Sequence, residues 1–465
     1  MDPQMMGISK GIECEDAGIK PGLPHTKIFR SIAPDVLHQL YQGIVKHLIA
    51  WLKTVCGEAE IDARCRRLPP NHNIRLFMNG ISDLNRVTGK EHDQISRFIL
   101  GIIVDIQLPN NLKSSLSLTL LEDALHSFHG NKSIFVDLGV RPDFNLPKLH
   151  NSSHTPSCIE YFGTTDNYFG TTDNYNTEYT ERFHIDLAKD AYRSTNFKDE
   201  FPQMTLWLER KEKIFRHEKY IQWRLDGCPP PATLKPLPPS IVYERRLKMT
   251  KHPTLKAALS RFVVQFKNPT FTRAQIEAQS HSIPLQFNRV PVYHRLKFVA
   301  EDPYTVGRPE DSVIDSIHVQ PRSGKELSGR FDTAIINDGS GGLTGVDGYR
   351  VGQVRVIFSL KPDHIRSFFG NGVSPPQHLA YVEWFSPFTS QPEPHHLMYK
   401  VRRSLKDGIR SAGIVPVANI RRSVHLLPKF GPVAPSHWTS ANVLEECPAF
   451  FVNCFSDRHI YTTLY

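Results

Sequence analysis

The chain has little cysteine, and what it has is not patterned. Its 7 Cys are scattered through 465 residues without a Cys-x-x-Cys pair, which excludes a zinc ribbon or a disulfide framework and fits a reducing compartment. Long apolar runs are also missing. The longest, such as 98–106, are interrupted and fall well short of the roughly 20 residues that a membrane helix needs. Residues 1–18 lack the basic-then-apolar order of a signal peptide. These absences predict an intracellular protein, neither secreted nor membrane-bound. What is present is ordinary globular composition, 40% hydrophobic and 22% charged, which argues against wholesale disorder. The net charge of +9 suits a polyanionic partner without establishing one.

The first half reads mainly helical. Pro34-Asp35 opens a segment in which Leu37, Leu40, Tyr41, Ile44, Leu48, Trp51 and Leu52 recur every three or four residues, which predicts an amphipathic helix. Further helices are expected at 91–106 and 115–129, and 133–136 reads as a strand or a helix end. A long helix is expected over 202–223, with Met204, Leu206, Trp207, Leu208, Ile214 and Phe215 on one side. Its other face (Arg210, Lys211, Lys213, Arg216, Lys219) is basic, either a solvated face or a contact for a DNA backbone. Residues 161–167 and 168–174 both read YFGTTDN, a heptad-length duplication in a loop-forming composition.

The Pro-rich segment 228–240 is expected to act as a linker. Residues 241–324 read as a mixed connecting region with a helix near 253–266. From 325 to 465 the short β-branched and aromatic runs 354–360, 379–385, 398–404 and 414–417, divided by Gly and Pro, predict a β-rich, small barrel-like domain. The stretch 339–345 (GSGGLTG) has no following Lys-Ser/Thr and reads as a hairpin loop, not a phosphate cradle. Glu383-Trp384, with Lys400, Arg402, Arg403, Arg421 and Arg422, reads as a contact surface or as ordinary packing and surface charge; by loose analogy the barrel is of Tudor or bromo-adjacent-homology type.

Two acid–imidazole pairs stand one helical turn apart: Asp35 with His38, and Glu181 with His184. Such a pair can hold a divalent ion or orient a water. Locally, Asp35 equally reads as a helix cap, and Glu181 as a surface ion pair with Arg182 or Lys189. His150 and His154 have the i, i+4 spacing of a metal pair but lack the glutamate of His-Glu-x-x-His, and read as loop or core histidines.

Longer stretches change that balance: IFRSIAPDVLHQLYQGIVKHLIAWL (28–52), FMNGISDLNRVTGKEHDQISRFILG (77–101), FVDLGVRPDFNLPKLH (135–150), DNYNTEYTERFHIDLAKDAYRSTNFKDEFPQMTLWLERKEK (173–213), and the tail segments 378–388, 420–432 and 452–465. Through them the chain resembles the Plavaka transposases of fungi, relatives of the CACTA-type DNA transposons. The resemblance implies an α/β, RNase H-like DDE/D core within residues 1–227, with a helical insertion at about 60–150, followed by the β-rich domain. It implies three carboxylates holding two Mg²⁺ or Mn²⁺ ions for phosphoryl transfer on DNA. Asp35 and His38 match the Asp-x-x-His motif of the second acid, and Glu181-Arg182 matches the Glu-Arg motif of the third, with Asp186 as a weaker alternative. Asp35 and Glu181 would be the metal ligands, and His38 and His184 would position them or the scissile phosphate. No convincing strand or acid for the first position precedes Asp35, so the expectation is an N-terminally truncated, inactive copy, or a non-catalytic remnant that binds nucleic acid or protein. The resemblance also implies a homo-oligomer acting in the nucleus; from the residues alone, with 244–248 too mixed for an import signal, the location is cytoplasmic.

Overall fold

In the computed structural model the described residues are 35–84, 87–106, 118–156, 177, 183–228, 242–248, 253–283, 289–300, 313–321, 329–342, 344–370, 375–394 and 396–465. Glu181, Arg182 and the YFGTTDN duplication lie outside them, as does the side chain of Asp186. The chain divides into two units, residues 1–44 with 144–208, and residues 45–143 with 209–465.

The main helices are α1 (Lys46–Cys56), α2 (Glu58–Arg66), α3 (Gly89–Ile103), α4 (Leu118–Asn131), α5 (Glu200–Leu225), α6 (Pro253–Lys267), α7 (Arg273–Ser280), α8 (Pro362–Phe369) and α9 (Arg458–Leu464). A wide π-helical stretch, Val36–Val45, leads into α1. The helix expected from Asp35 therefore forms, with Leu37, Ile49, Trp51 and Leu52 buried. α3 starts at a reciprocal cap, in which the Thr88 hydroxyl accepts from the Glu91 amide and the Glu91 carboxylate accepts from the Thr88 amide. The segment 133–136 resolves as helix, Ile134–Asp137.

The strands are β1 (Val242–Lys248), β2 (Arg289–Ala300), β3 (Val313–Gln320), β4 (Arg330–Phe331), β5 (Thr333–Asn337), β6 (Tyr349–Ser359), β7 (His378–Pro387), β8 (Lys400–Arg402), β9 (Leu405–Lys406), β10 (Ile409–Arg410), β11 (Ala412–Pro416), β12 (Ile420–Ser423), β13 (Leu426–Pro428) and β14 (Ala449–Val452). The principal sheet is antiparallel in the order β11-β7-β6-β2-β3-β4, with β1 on β2 and with β5 between β6 and β12. A 3-10 turn at Val417–Asn419 carries the chain from β11 to β12, which returns to β5. This bends β5, β6, β7, β11 and β12 into a small barrel-like sheet around Ala334, Ile336, Val354, Ala380, Val382 and Ile420. The Gly-rich stretch near 339–345 is the loop of the β5–β6 hairpin, as expected.

Three features differ from the sequence reading. Among the described residues no strand precedes Val242, so the sheet expected for a partial RNase H-like core is absent among them. Residues 241–324 are not merely connecting, because β1, β2 and β3 belong to the principal sheet. The Pro-rich segment is also not where the packing divides. Ile61, Phe98 and Ile102 from the expected helical insertion share one core with Val401, Leu427 and Phe450 from the C-terminal half. The fully buried Arg64 fastens this core: Nε donates to Glu60 Oε1 at 2.6 Å, Nη1 to the Ile102 carbonyl at 2.8 Å, and Nη2 to the Gly431 carbonyl at 2.6 Å. Gly101 is needed in α3 because a Cβ there would overlap the Leu427 side chain.

Candidate active site

Asp35 sits at the entry of the π-helical stretch, where unpaired backbone amides seek an acceptor. Its Oδ2 accepts from the His38 amide at 2.6 Å and approaches His38 Nδ1 at 2.5 Å. Its Oδ1 accepts from the Leu37 amide at 3.3 Å and from the Thr177 amide at 2.8 Å. Thr177 Oγ1 lies 3.2 Å from His38 Nδ1, and Lys148 Nζ donates to the His38 carbonyl at 3.1 Å. Burial alone would raise the Asp35 carboxyl pKa, but the hydrogen bonds from Thr177 and His38 outweigh it and hold the group below its ordinary value.

Of the residues singled out in the sequence, the structure thus brings Asp35 and His38 together directly, with Thr177 on the same carboxylate. His184 is exposed at the start of a π-helical turn, His184–Lys189. His150 and His154 face each other with Nε2 atoms 3.4 Å apart. Among the described residues no three His, Cys, Asp or Glu side chains are grouped to hold a metal ion. Both Asp35 oxygens accept hydrogen bonds, and Glu181, the other expected ligand, lies outside the described residues. No step is derived through a metal ion.

The second acidic cluster was not legible from spacing. Asp315 is fully buried and accepts from the Ser316 and Ser423 amides, both at 2.7 Å, with His72 Nε2 at 3.1 Å. Asp332 accepts from the His318 amide at 2.8 Å and from Arg330 Nε at 2.8 Å, with His318 Nδ1 at 3.0 Å. Burial lowers the His72 pKa, against the pull of Asp315, Asp332 and Asp457. Each carboxylate takes one backbone amide from another strand, Ser423 for Asp315 and His318 for Asp332, which makes this an internal brace.

The expected Glu383 surface is also largely turned inward. Glu383 faces Arg410 at 3.1 Å, Arg355 at 3.5 Å and Arg403 at 3.9 Å, and Glu445 bonds Arg355 and Arg410 as well. Burial first, and then the like charge of Arg410, push Arg403 down to about 10. Arg422 is buried and donates to Asp457 at 2.9 Å, which leaves Arg402 and Arg421 as the exposed cations of that set.

The segment that carries Asp35 and His38 is similar to a family of transposases. The family whose model it matches is the Plavaka transposase, over residues 9–52. No curated protein and no solved structure matches the chain. Among the described residues no helix is long and apolar enough to cross a membrane.

Proposed function

We propose that the chain is a transposon-derived protein that binds DNA and does not run two-metal phosphoryl transfer in this form. The observation that carries the DNA-transposase part is the family match over the segment holding Asp35 and His38. The absence of catalysis is inferred from Asp35, whose two oxygens serve as a helix cap and as an acceptor for Thr177. In the ancestral reaction, Asp35 and Glu181 would ligate Mg²⁺ or Mn²⁺ on an RNase H-like core related to CACTA transposases. His38 and His184 would orient the ligands or the scissile phosphate. A homo-oligomer in a nucleus is the setting that such chemistry implies. The working-transposase reading is favoured by one observation: Asp35 and His38, the two residues of its Asp-x-x-His motif, are in side-chain contact.

The test is duplex-DNA binding by the full chain across a salt series, run beside nicking of supercoiled plasmid with Mn²⁺. The expected result is binding that falls steeply with salt, as released counterions require, with no nicking. Nicking that is lost in both Asp35→Asn and Glu181→Gln would overturn the non-catalytic reading, and salt-independent or absent DNA binding would overturn the DNA-binding one.

A further inference from the structure

A cavity of about 1670 Å³ opens between α6, α7, the mouth of the barrel-like sheet and the whole of β11. β11 pairs only with β7 among the described strands. In its register, Gly413 lies opposite Val382 and Val415 opposite Ala380, and the Ser411 carbonyl accepts from the Trp384 amide at 2.8 Å. The Ser411 carbonyl and the backbone groups of Gly413 and Val415 therefore go to β7, whereas Ala412 and Ile414 direct theirs to the open edge.

The same cavity holds two guanidinium groups without an acid. Arg350 donates Nε to the Phe385 carbonyl at 2.7 Å and lies over the Trp384 ring at 5.2 Å, and no carboxylate pairs with it among the described residues. Arg273, on the first turn of α7, also has no ion-pair partner among them, and it lies near enough to act on Arg350 as a like charge. Two cations facing one cavity repel until an anion sits between them.

We propose that this groove takes an extended acidic peptide, its backbone adding to the open edge of β11 and a carboxylate seated between Arg273 and Arg350. Strand addition supplies sequence-independent hydrogen bonds, and the paired guanidinium groups supply the preference for acid. Arg350 is already held over Trp384 and by the Phe385 carbonyl, so little side-chain freedom is lost on binding. A nucleic-acid strand suits the groove less well. Asp338, Asp347, Asp407 and Glu277 also line it, and they would meet a continuous phosphate backbone but not an isolated carboxylate.

The experiment is fluorescence anisotropy of the full chain with a terminally blocked, labelled decapeptide of Thr with a single central Glu. Comparison probes are its Thr/Gln counterpart, the Thr/Glu peptide N-methylated at alternate residues, and a thymidine decanucleotide. The Thr/Glu peptide is expected to bind, and the Gln and N-methylated peptides to lose about tenfold or more in affinity. Arg350→Met and Arg273→Met should each lose affinity for the Thr/Glu peptide and leave the Gln peptide unchanged. Arg273 is exposed, so that variant keeps the test valid if Arg350→Met fails to fold. Equal binding of the Gln peptide, tolerance of N-methylation, indifference to Arg273→Met, preference for the decanucleotide, or no binding of the Thr/Glu peptide would each overturn the proposal.

Discussion

The two units handle polar and apolar groups in opposite ways. In the unit of residues 45–143 and 209–465, charged side chains are taken inside and satisfied. Arg64 is fully buried with three acceptors, and Asp315 and Asp332 are bonded to strand amides. In the unit of residues 1–44 and 144–208, the position is reversed. Phe183, Leu187, Phe197 and Phe201 are exposed, the last at 75%, and the main polar feature, Asp35, is a capping contact near the surface. Buried, bonded charge gives the larger unit a specific packing that is costly to break. The smaller unit has few buried apolar side chains to lose, Leu37, Leu149 and Ala191 among them, and its stability should be correspondingly local.

The widest gap between the units should appear with Arg64→Leu. Removing this buried cation leaves the Ile102 and Gly431 carbonyls without their donor and Glu60 with only the Ala434 amide, at a cost of about 3–5 kcal/mol. Chemical denaturation should show the loss as a lower midpoint of the main transition. A change below about 1 kcal/mol would mean that the shared core does not depend on this side chain.

A somewhat smaller effect is expected from His425, which is fully buried, within 3.1 Å of the Pro69 carbonyl and of Asn453 Nδ2, and held neutral down to about 4 by burial. The unfolded chain takes up this proton near pH 6.5 and the folded chain only near 4, so the unfolded state binds more protons between those values. Stability contributed by the neutral ring is therefore full above about pH 6.5 and lost as the pH falls towards 4. The loss is on the order of 3 kcal/mol, since each pH unit between the two values is worth about 1.4 kcal/mol. His425→Gln should flatten that slope, as read from denaturation midpoints across the pH series.

The smallest effect is expected in the other unit. Asp35→Ala removes a cap worth about 1 kcal/mol. It should speed amide exchange at Leu37, His38 and Thr177 while leaving the main unfolding transition in place. A shift of the main transition by several kcal/mol would erase the contrast between the units.

The contrast also explains what could be read from the sequence. Local periodicity located α3, α5 and α6 to within a few residues, because helical spacing is written in neighbours. The runs at 354–360 and 379–385 became β6 and β7 for the same reason. Burial was less legible. Met204, Leu206 and Trp207 have helical spacing, yet no residue of α5 is buried, because a covering surface is a long-range property. The joining of Phe98 to Leu427 and Phe450 was likewise invisible to any local window. At the candidate site, Pro34-Asp35 carried the cap reading that the hydrogen bonds bear out, and the Asp-x-x-His spacing placed His38 on the same carboxylate. Thr177 gave no signal, since its amide reaches Asp35 only through the fold. Arg350 and Trp384 were equally silent as a pair, because they meet across strands β6 and β7.

The proposed non-catalytic reading has Asp35 serve as a cap and not as the anchor of a catalytic metal. Electron paramagnetic resonance of Mn²⁺ titrated into the full chain, beside Asp35→Asn and Glu181→Gln, decides the matter. All three proteins are expected to leave the free-Mn²⁺ signal equally undiminished. Stoichiometric loss of that signal in the unmutated chain, restored by either substitution, would contradict the cap role and return Asp35 to metal binding.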